Sequence, residues 1–271
     1  MGSGIAEVAA RAGFDTVVRE VNEEFAAKGV KRVTSSLSRA VEKKKLSEEE
    51  SKGIQGRIST TTKLEELADC DLIIEAISEN LELKKETFGT LDSACKPETI
   101  FCSNTSSLTI TELAASTKRA DRFAGLHFFN PVPVMKLVEV VRALQTSDAT
   151  FEAVFAFAGK LGKEPIRTRD NSGFIVNRIL VPYLLDAVRA LEDGVGSAED
   201  IDKGMELGCG HPMGPLKLLD FVGLDTTYAI AEIMFAEYRE KRFAPPGLLK
   251  RMVMAGRYGR KSGRGFYEYG S

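Results

Sequence analysis

The chain has 271 residues, 43% hydrophobic and 28% charged, which suits one large domain or two ordinary ones and excludes a disordered polypeptide. A formal net charge of −2 gives no electrostatic case for nucleic acid or an anionic membrane as partner. No apolar run reaches the roughly 18 to 20 residues that a bilayer span needs, and no basic stretch leads into an apolar core as in a signal peptide.

Residues 2–12 carry small and apolar side chains at helical spacing, and Gly13 stands where such a helix would be capped. Residues 15–21 are a short β-branched run, expected as a buried strand. An amphipathic stretch from 23 to about 53 follows. Val30, Val33, Leu37 and Val41 fall at helical spacing there, and Ser47 and Glu50 are spaced as a capping box, so two helices in a hairpin are predicted. Strand–helix units then recur: a strand at 72–76 with a helix at 81–94, and a strand at 100–103 with a helix at 110–115. Further strands are expected at 123–129, 137–141 and 165–168, with a turn at Asn130-Pro131 and a helix from about 148 to 161. Alternation of this kind with apolar strands predicts an α/β fold, a doubly wound and mostly parallel sheet covered on both faces.

After Asn171-Ser172-Gly173 the periodicity becomes helical, with one short strand candidate at Phe266-Tyr267. The boundary is placed near residue 170: an α/β domain over 1–170 and an all-α domain of about 100 residues over 171–271. The four cysteines, Cys70, Cys95, Cys102 and Cys209, form no CxxC pair and read as reduced thiols of a cytosol-like compartment. Neither His127 nor His211 sits in a metal-ligand pattern, so no metal is expected.

A dinucleotide-binding unit opens with a strand, a Gly-rich turn, a helix and a second strand that ends in an acid. The turn brings the backbone to the pyrophosphate at the helix N-terminus, and the acid takes the ribose hydroxyls. Glu20 ends a strand at close to the expected spacing after Gly2, which stands where the last glycine of the turn would. A carboxylate there disfavours a ribose 2′-phosphate, so NAD is expected rather than NADP. No strand precedes the first helix, and roughly ten residues of strand with the leading G-x-G would be needed ahead of Met1. The expectation is a Rossmann-like sheet without its first, central strand, with two flanking strands deprived of a ladder partner and local repacking or lowered stability as the result. An internal methionine taken as the start and a true truncation are both open readings.

The stretch from Arg122 to Val141 reads RFAGLHFFNPVPVMKLVEVV. Oxidising a secondary alcohol by hydride transfer needs a base for the hydroxyl proton, and histidine runs that step in both directions near neutral pH. His127 closes one strand and Glu139 lies on the next, so a turn brings both to one edge, where a carboxylate would fix the imidazole tautomer. This stretch resembles the signature of short-chain L-3-hydroxyacyl-CoA dehydrogenases, the group that includes 3-hydroxybutyryl-CoA dehydrogenases. The similarity runs from Gly2 to Tyr269 through Glu75-Ala76, Glu79-Asn80-Leu81, Ser103-Asn104-Thr105-Ser106-Ser107-Leu108 and Gly173-Phe174-Ile175-Val176-Asn177-Arg178. It continues through Pro212-Met213-Gly214-Pro215, Gly223-Leu224-Asp225 and Gly263-Arg264-Gly265-Phe266-Tyr267.

The resemblance implies NAD-dependent interconversion of short-chain (S)-3-hydroxyacyl-CoA and 3-oxoacyl-CoA, in β-oxidation or butanoate metabolism. It makes His127 the base and Glu139 its partner, with Ser106 and Asn177 holding the substrate's oxygens. Gly2, Glu20, Glu79, Lys84, Ser106, Asn130 and Lys261 would contact NAD. Ser36 and Lys43 would meet the CoA portion, where an ammonium suits phosphate. It also implies a homodimer formed through the second domain, in a bacterial cytoplasm or a mitochondrial matrix. Two alternatives stand beside it. One is a non-catalytic or defective homologue, favoured by the truncated phosphate turn; the other is an enzyme for a different hydroxy acid on a similar fold.

Overall fold

Helix α1 (Gly2–Arg11) opens the chain of this computed structural model, which describes residues 1–270. Gly13, at φ +92°, turns the backbone out of it through a region that favours glycine. The short strand β1 (Thr16–Arg19) leads to α2 (Glu23–Glu42), where Asn22 accepts the Phe25 N–H as N-cap. The predicted capping box forms at α3 (Glu48–Gly56): Ser47 Oγ accepts the Glu50 N–H at 3.1 Å and the Glu50 carboxylate accepts the Ser47 N–H at 2.7 Å. Strand β2 (Ile58–Thr61) then pairs in parallel with β1, Thr16 opposite Ile58. The sequence pattern misses β2 because it is a run of hydroxyl residues after Ile58, and of its four positions only Thr61 is buried.

A second, five-stranded sheet follows in the order β3 (Leu72–Glu75), β4 (Ile100–Ser103), β5 (Phe123–Phe128), β6 (Leu137–Arg142), β7 (Glu164–Arg169). All its pairings are parallel except β5–β6. Helices α4 (Leu81–Ala94), α5 (Ile110–Ala114) and α6 (Asp148–Lys160) alternate with these strands. On one face Ile5, Val8 and Ala9 of α1 and Phe151, Val154 and Ala158 of α6 pack with Cys102, Leu126, Val138 and Val140. On the other, the ring of Phe88 from α4 lies 5.7 Å from that of Phe101 and 4.6 Å from that of Phe123. Neighbouring residues Phe101 and Cys102 thus point to opposite faces, as the period of two requires. The sheet is covered on both sides, and β5 is buried along its whole length.

The ladder is interrupted between β1 and β3, which belong to separate sheets. Helix α1 spans the interruption. Its Ile5, Val8 and Ala9 face the larger sheet, while Ala10 packs with Val33, Leu37 and Ile54 from α2 and α3.

The chain divides at Asp170, and the part from Asn171 on is a separate compact unit. It holds α7 (Val176–Glu192), α8 (Ala198–Cys209), α9 (Pro215–Val222), α10 (Leu224–Tyr238) and α11 (Gly247–Met254) around Leu184, Leu185, Leu216, Leu219, Met234 and Phe243. The strand expected at Phe266-Tyr267 does not form, and only isolated bridges, Gly259 to Arg264 and Arg264 to Glu268, occur there. The reason is a competing acceptor. Buried Asp220 takes the N–H groups of Phe266 at 2.9 Å and Tyr267 at 3.0 Å, together with the Tyr269 hydroxyl at 3.0 Å. Gly265 is required by that approach, since a Cβ there would lie 1.9 Å from an Asp220 oxygen. Buried Asp202 similarly takes the first N–H groups of α9, Leu216 at 2.8 Å and Lys217 at 3.0 Å, and the Tyr267 hydroxyl at 2.7 Å.

One position tests the tightness of the antiparallel step. A Cβ on Gly125 of β5 would lie 2.6 Å from the Val141 Cβ opposite it and 3.0 Å from Ile110 Cδ1. Gly125→Ala is expected to destabilise the protein by about 1–3 kcal/mol in urea unfolding. Adding Val141→Ala should recover part of the loss, and an unchanged midpoint for Gly125→Ala would contradict this packing.

Candidate active site

The antiparallel register of β5 and β6 sets His127 directly opposite Glu139, so their side chains emerge on the same face of the sheet. His127 Nδ1 and Glu139 Oε2 are 2.7 Å apart. Glu139 is fully buried and His127 is 6% exposed. A buried carboxylate must be paired, and here the imidazole is its partner. An acceptor at Nδ1 favours the tautomer protonated on that nitrogen and makes Nε2 the basic one. The ring of Phe129 packs against the imidazole, with centroids 4.6 Å apart.

A second polar cluster lies where β3 and β4 end. Glu75, the last residue of β3, is 5% exposed, and its carboxylate accepts the Ile77 N–H at 2.7 Å, Lys84 Nζ at 2.7 Å and Ser103 Oγ at 2.6 Å. Lys84, on the first turn of α4, is 1% exposed and also reaches Glu79 at 3.3 Å. Its ammonium is therefore engaged by two carboxylates. In turn Glu79 accepts the Ser106 N–H at 3.0 Å, the Ser107 hydroxyl at 3.1 Å and the Thr105 hydroxyl. Burial works to raise the Glu79 pKa, but the Thr105 hydrogen bond, the Lys84 charge and the Ser106 N–H outweigh it and hold the carboxyl below its usual value. The loop that carries Ser106 is thus clamped by an ionised Glu79.

Gly2 is the first residue of α1, and a Cβ added there would meet only Ala76, at 4.0 Å. Glu20 follows β1, with its N–H on the Thr61 carbonyl at 3.0 Å. Burial and the Arg32 charge lower the pKa of the Met1 amino group, and the Glu20 charge opposes them. The N-terminus of α1 at Gly2 thus lies against the residue after β3, and Glu20 is the acid that follows β1. That arrangement fits the pyrophosphate and ribose of a dinucleotide.

Half-buried Ser36 lies in α2 and exposed Lys43 is the residue that caps its C-terminus, two turns further on. Asn130 is exposed just beyond β5. Asn177 and Lys261 belong to the second unit. Asn177 lies on the first turn of α7, and the Lys261 ammonium is paired with Asp225 and stands 5.6 Å from the Tyr258 ring centre. Within the first unit, then, the structure joins His127 with Glu139 and ties Glu79, Lys84 and the Ser106 loop into one network. Sequence reasoning assigned no role to Glu75, Ser103 or Asn104, although the buried strand-end acid of Leu72-Ile73-Ile74-Glu75 was a signal that a partner charge was needed. Among the described residues no group of three or more His, Cys, Asp or Glu is arranged to hold a metal ion.

Residues 1–171 match the family model described as 3-hydroxyacyl-CoA dehydrogenase, NAD binding domain, and residues 173–269 match 3-hydroxyacyl-CoA dehydrogenase, C-terminal domain. The chain belongs to the 3-hydroxyacyl-CoA dehydrogenase family. The first of these matches makes NAD its cofactor. Over 269 residues the dehydrogenase is 50% identical to a protein of Bacillus subtilis named probable 3-hydroxybutyryl-CoA dehydrogenase, covering 99% of this chain and 94% of that one. The crystal structure of Mycobacterium tuberculosis FadB2 superposes with a TM-score of 0.98 at 50% identity, covering 100% of this chain and 95% of that chain. That of the (S)-3-hydroxybutyryl-CoA dehydrogenase PaaH1 from Ralstonia eutropha gives 0.97 at 46% identity, covering 100% and 96%.

The depressed Glu79 pKa has a pH signature. Its stabilising contribution is present above the unfolded-state carboxylate value and is lost as the pH falls through the lower folded-state value. Urea midpoints of the wild type and Glu79→Gln should therefore differ most near about pH 7 and converge towards about pH 3. A gap that persists undiminished in acid would contradict an ionised Glu79.

Proposed function

We propose that the protein interconverts (S)-3-hydroxyacyl-CoA and 3-oxoacyl-CoA, with short-chain substrates such as 3-hydroxybutyryl-CoA, and uses NAD as the hydride partner. The observation that carries this reading is the buried His127–Glu139 pair, 2.7 Å apart, in an NAD-binding domain. When bound, NAD in its oxidised form supplies the acceptor for the hydride leaving the carbinol carbon. His127 Nε2 takes the hydroxyl proton, and Glu139 stabilises the imidazolium so formed. In the reverse direction the same nitrogen returns the proton to the growing alkoxide. Ser106 and Asn177 hold the hydroxyl and thioester oxygens, and Glu79 fixes the Ser106 loop. Gly2, Glu20, Asn130 and Lys261 serve the cofactor, while Ser36 and Lys43 serve the CoA portion.

The names of the relatives support the short chain length, and matches along 99% of the chain do not favour a non-catalytic homologue. The same reading places the protein in β-oxidation or butanoate metabolism. The bacterial relatives support a bacterial cytoplasm, and no helix among the described residues is long and apolar enough to cross a membrane. Dimerisation through the second unit is supported by its exposed Ile179, Val195, Leu207, Phe221 and Met254.

NADH absorbance with acetoacetyl-CoA tests the proposal. The unaltered chain should turn over, His127→Ala should lose about 10²- to 10⁴-fold in kcat, and Glu139→Gln should also fall, with KM for both ligands little changed. Full activity in His127→Ala would overturn the assignment. Light scattering should give twice the chain mass of 29.6 kDa, and a monomer would remove the dimer from the proposal.

A further inference from the structure

Strand β4 runs out one step before the chemistry begins. Its pairing with β5 stops at Ser103 opposite Gly125, whereas β5 continues through Leu126, His127 and Phe128 with β6 alone beside it. The Phe128 N–H is turned to the side where β4 has ended. No ladder carbonyl meets it there; the side chain of Asn104 does, with Oδ1 accepting at 2.9 Å. Phe128 is 2% exposed, so an unpaired N–H at this point would be a buried donor without an acceptor.

Asn104 is itself held from the other side. Its N–H donates to the Glu75 carbonyl at 2.8 Å, where β3 ends. The next three residues, Thr105 to Ser107, all donate to Glu79. The Thr105 hydroxyl in turn receives the Leu108 N–H at 2.9 Å, which closes the loop on itself. The result is a braced segment tied to β5 through the Asn104 amide, at the residue that follows His127. The same segment carries Ser106 two residues further on.

We propose that Asn104 is a positioning residue of the reaction. Its side-chain carbonyl takes over the ladder where β4 stops and holds the end of the His127 strand in register with the Ser106 loop. Base and substrate-holding hydroxyl thereby keep a fixed spacing, while Asn104 itself touches neither substrate nor cofactor. The proposal rests on the dehydrogenase reading above and adds to it a residue with a backbone, rather than a chemical, target. Because only the acceptor oxygen is used, an aspartate at this position preserves the contact and an alanine removes it.

The test compares Asn104→Ala and Asn104→Asp in the full chain by steady-state kinetics with acetoacetyl-CoA and NADH, and by amide hydrogen exchange at Phe128. For Asn104→Ala, kcat should fall about 10- to 100-fold, the loss expected of small misplacements in an active site, while both KM values stay within about threefold. The Phe128 amide should exchange faster. Asn104→Asp should restore slow exchange and bring kcat to within about threefold of the wild type at its own pH optimum. The proposal is overturned if Asn104→Ala keeps its kcat, if its loss appears in KM alone, or if Phe128 stays protected in it. It is equally overturned if Asn104→Asp loses as much as alanine, and that comparison decides the matter should Asn104→Ala not fold. If the unaltered chain failed to reduce acetoacetyl-CoA, the functional reading would fall first, and the exchange comparison would still decide whether Asn104 holds this strand.

Discussion

A single reversal of strand direction governs the active site. In a wholly parallel sheet, neighbouring strands would be joined by a long crossover, and the carboxyl end of each would be reached by a separate loop. The antiparallel step from β5 to β6 instead places His127 and Glu139 opposite each other within one ladder. The acid reaches the imidazole from a strand rather than from a mobile loop, and it is fully buried. Precision of this kind is what the proposed base needs if its tautomer is to be set before substrate arrives. The tight fit of Gly125 under Val141 belongs to the same constraint, because it lets the two strands lie close just before His127.

Around that pair the carboxylates obey a common rule: each is met by several donors, and those donors belong to the segment that must be placed. Glu75 gathers Lys84, Ser103 and the Ile77 backbone, and Glu79 gathers the Ser106 loop. Lys84 lies between the two carboxylates, so the cluster is a connected network rather than a set of isolated pairs. Glu75 and Lys84 are both buried, so removing either would leave the other charged in a dry setting.

Much of this was legible in the sequence, for identifiable reasons. Helix α4 has the bounds read from its periodicity, and the capping box at Ser47 and Glu50 forms as spaced. Those features are local, so a short window contains them. His127 closes one strand and Glu139 lies on the next, which is enough to predict that they meet, and the structure puts them in contact. The discontinuity expected in the sheet is present as well, with β1 and β3 in separate ladders. What escaped was non-local. Strand β2 owes its existence to its partner β1 rather than to an apolar pattern of its own. The C-terminal strand candidate lost its backbone donors to Asp220, a residue far away in sequence. Lys84 read as a cofactor contact, and only the fold reveals the carboxylates engaging it. Asn104 had no signal beyond membership of a motif, because its task is to satisfy one N–H of a neighbouring strand.

The anchoring of the C-terminal segment by Asp220 has a consequence for the order in which the protein can be made. Asp220 is buried, and its three donors come from Phe266, Tyr267 and Tyr269. A buried carboxylate without donors is strongly unfavourable, so the helical unit cannot settle around it while those residues are still inside the ribosome. The first unit carries no such debt, since the donors to Glu75, Glu79 and Glu139 named above all lie before Asp170. Synthesis therefore completes the donor sets of Glu75, Glu79 and Glu139 well before the chain is finished, whereas Asp220 gains its own only when residue 269 has emerged.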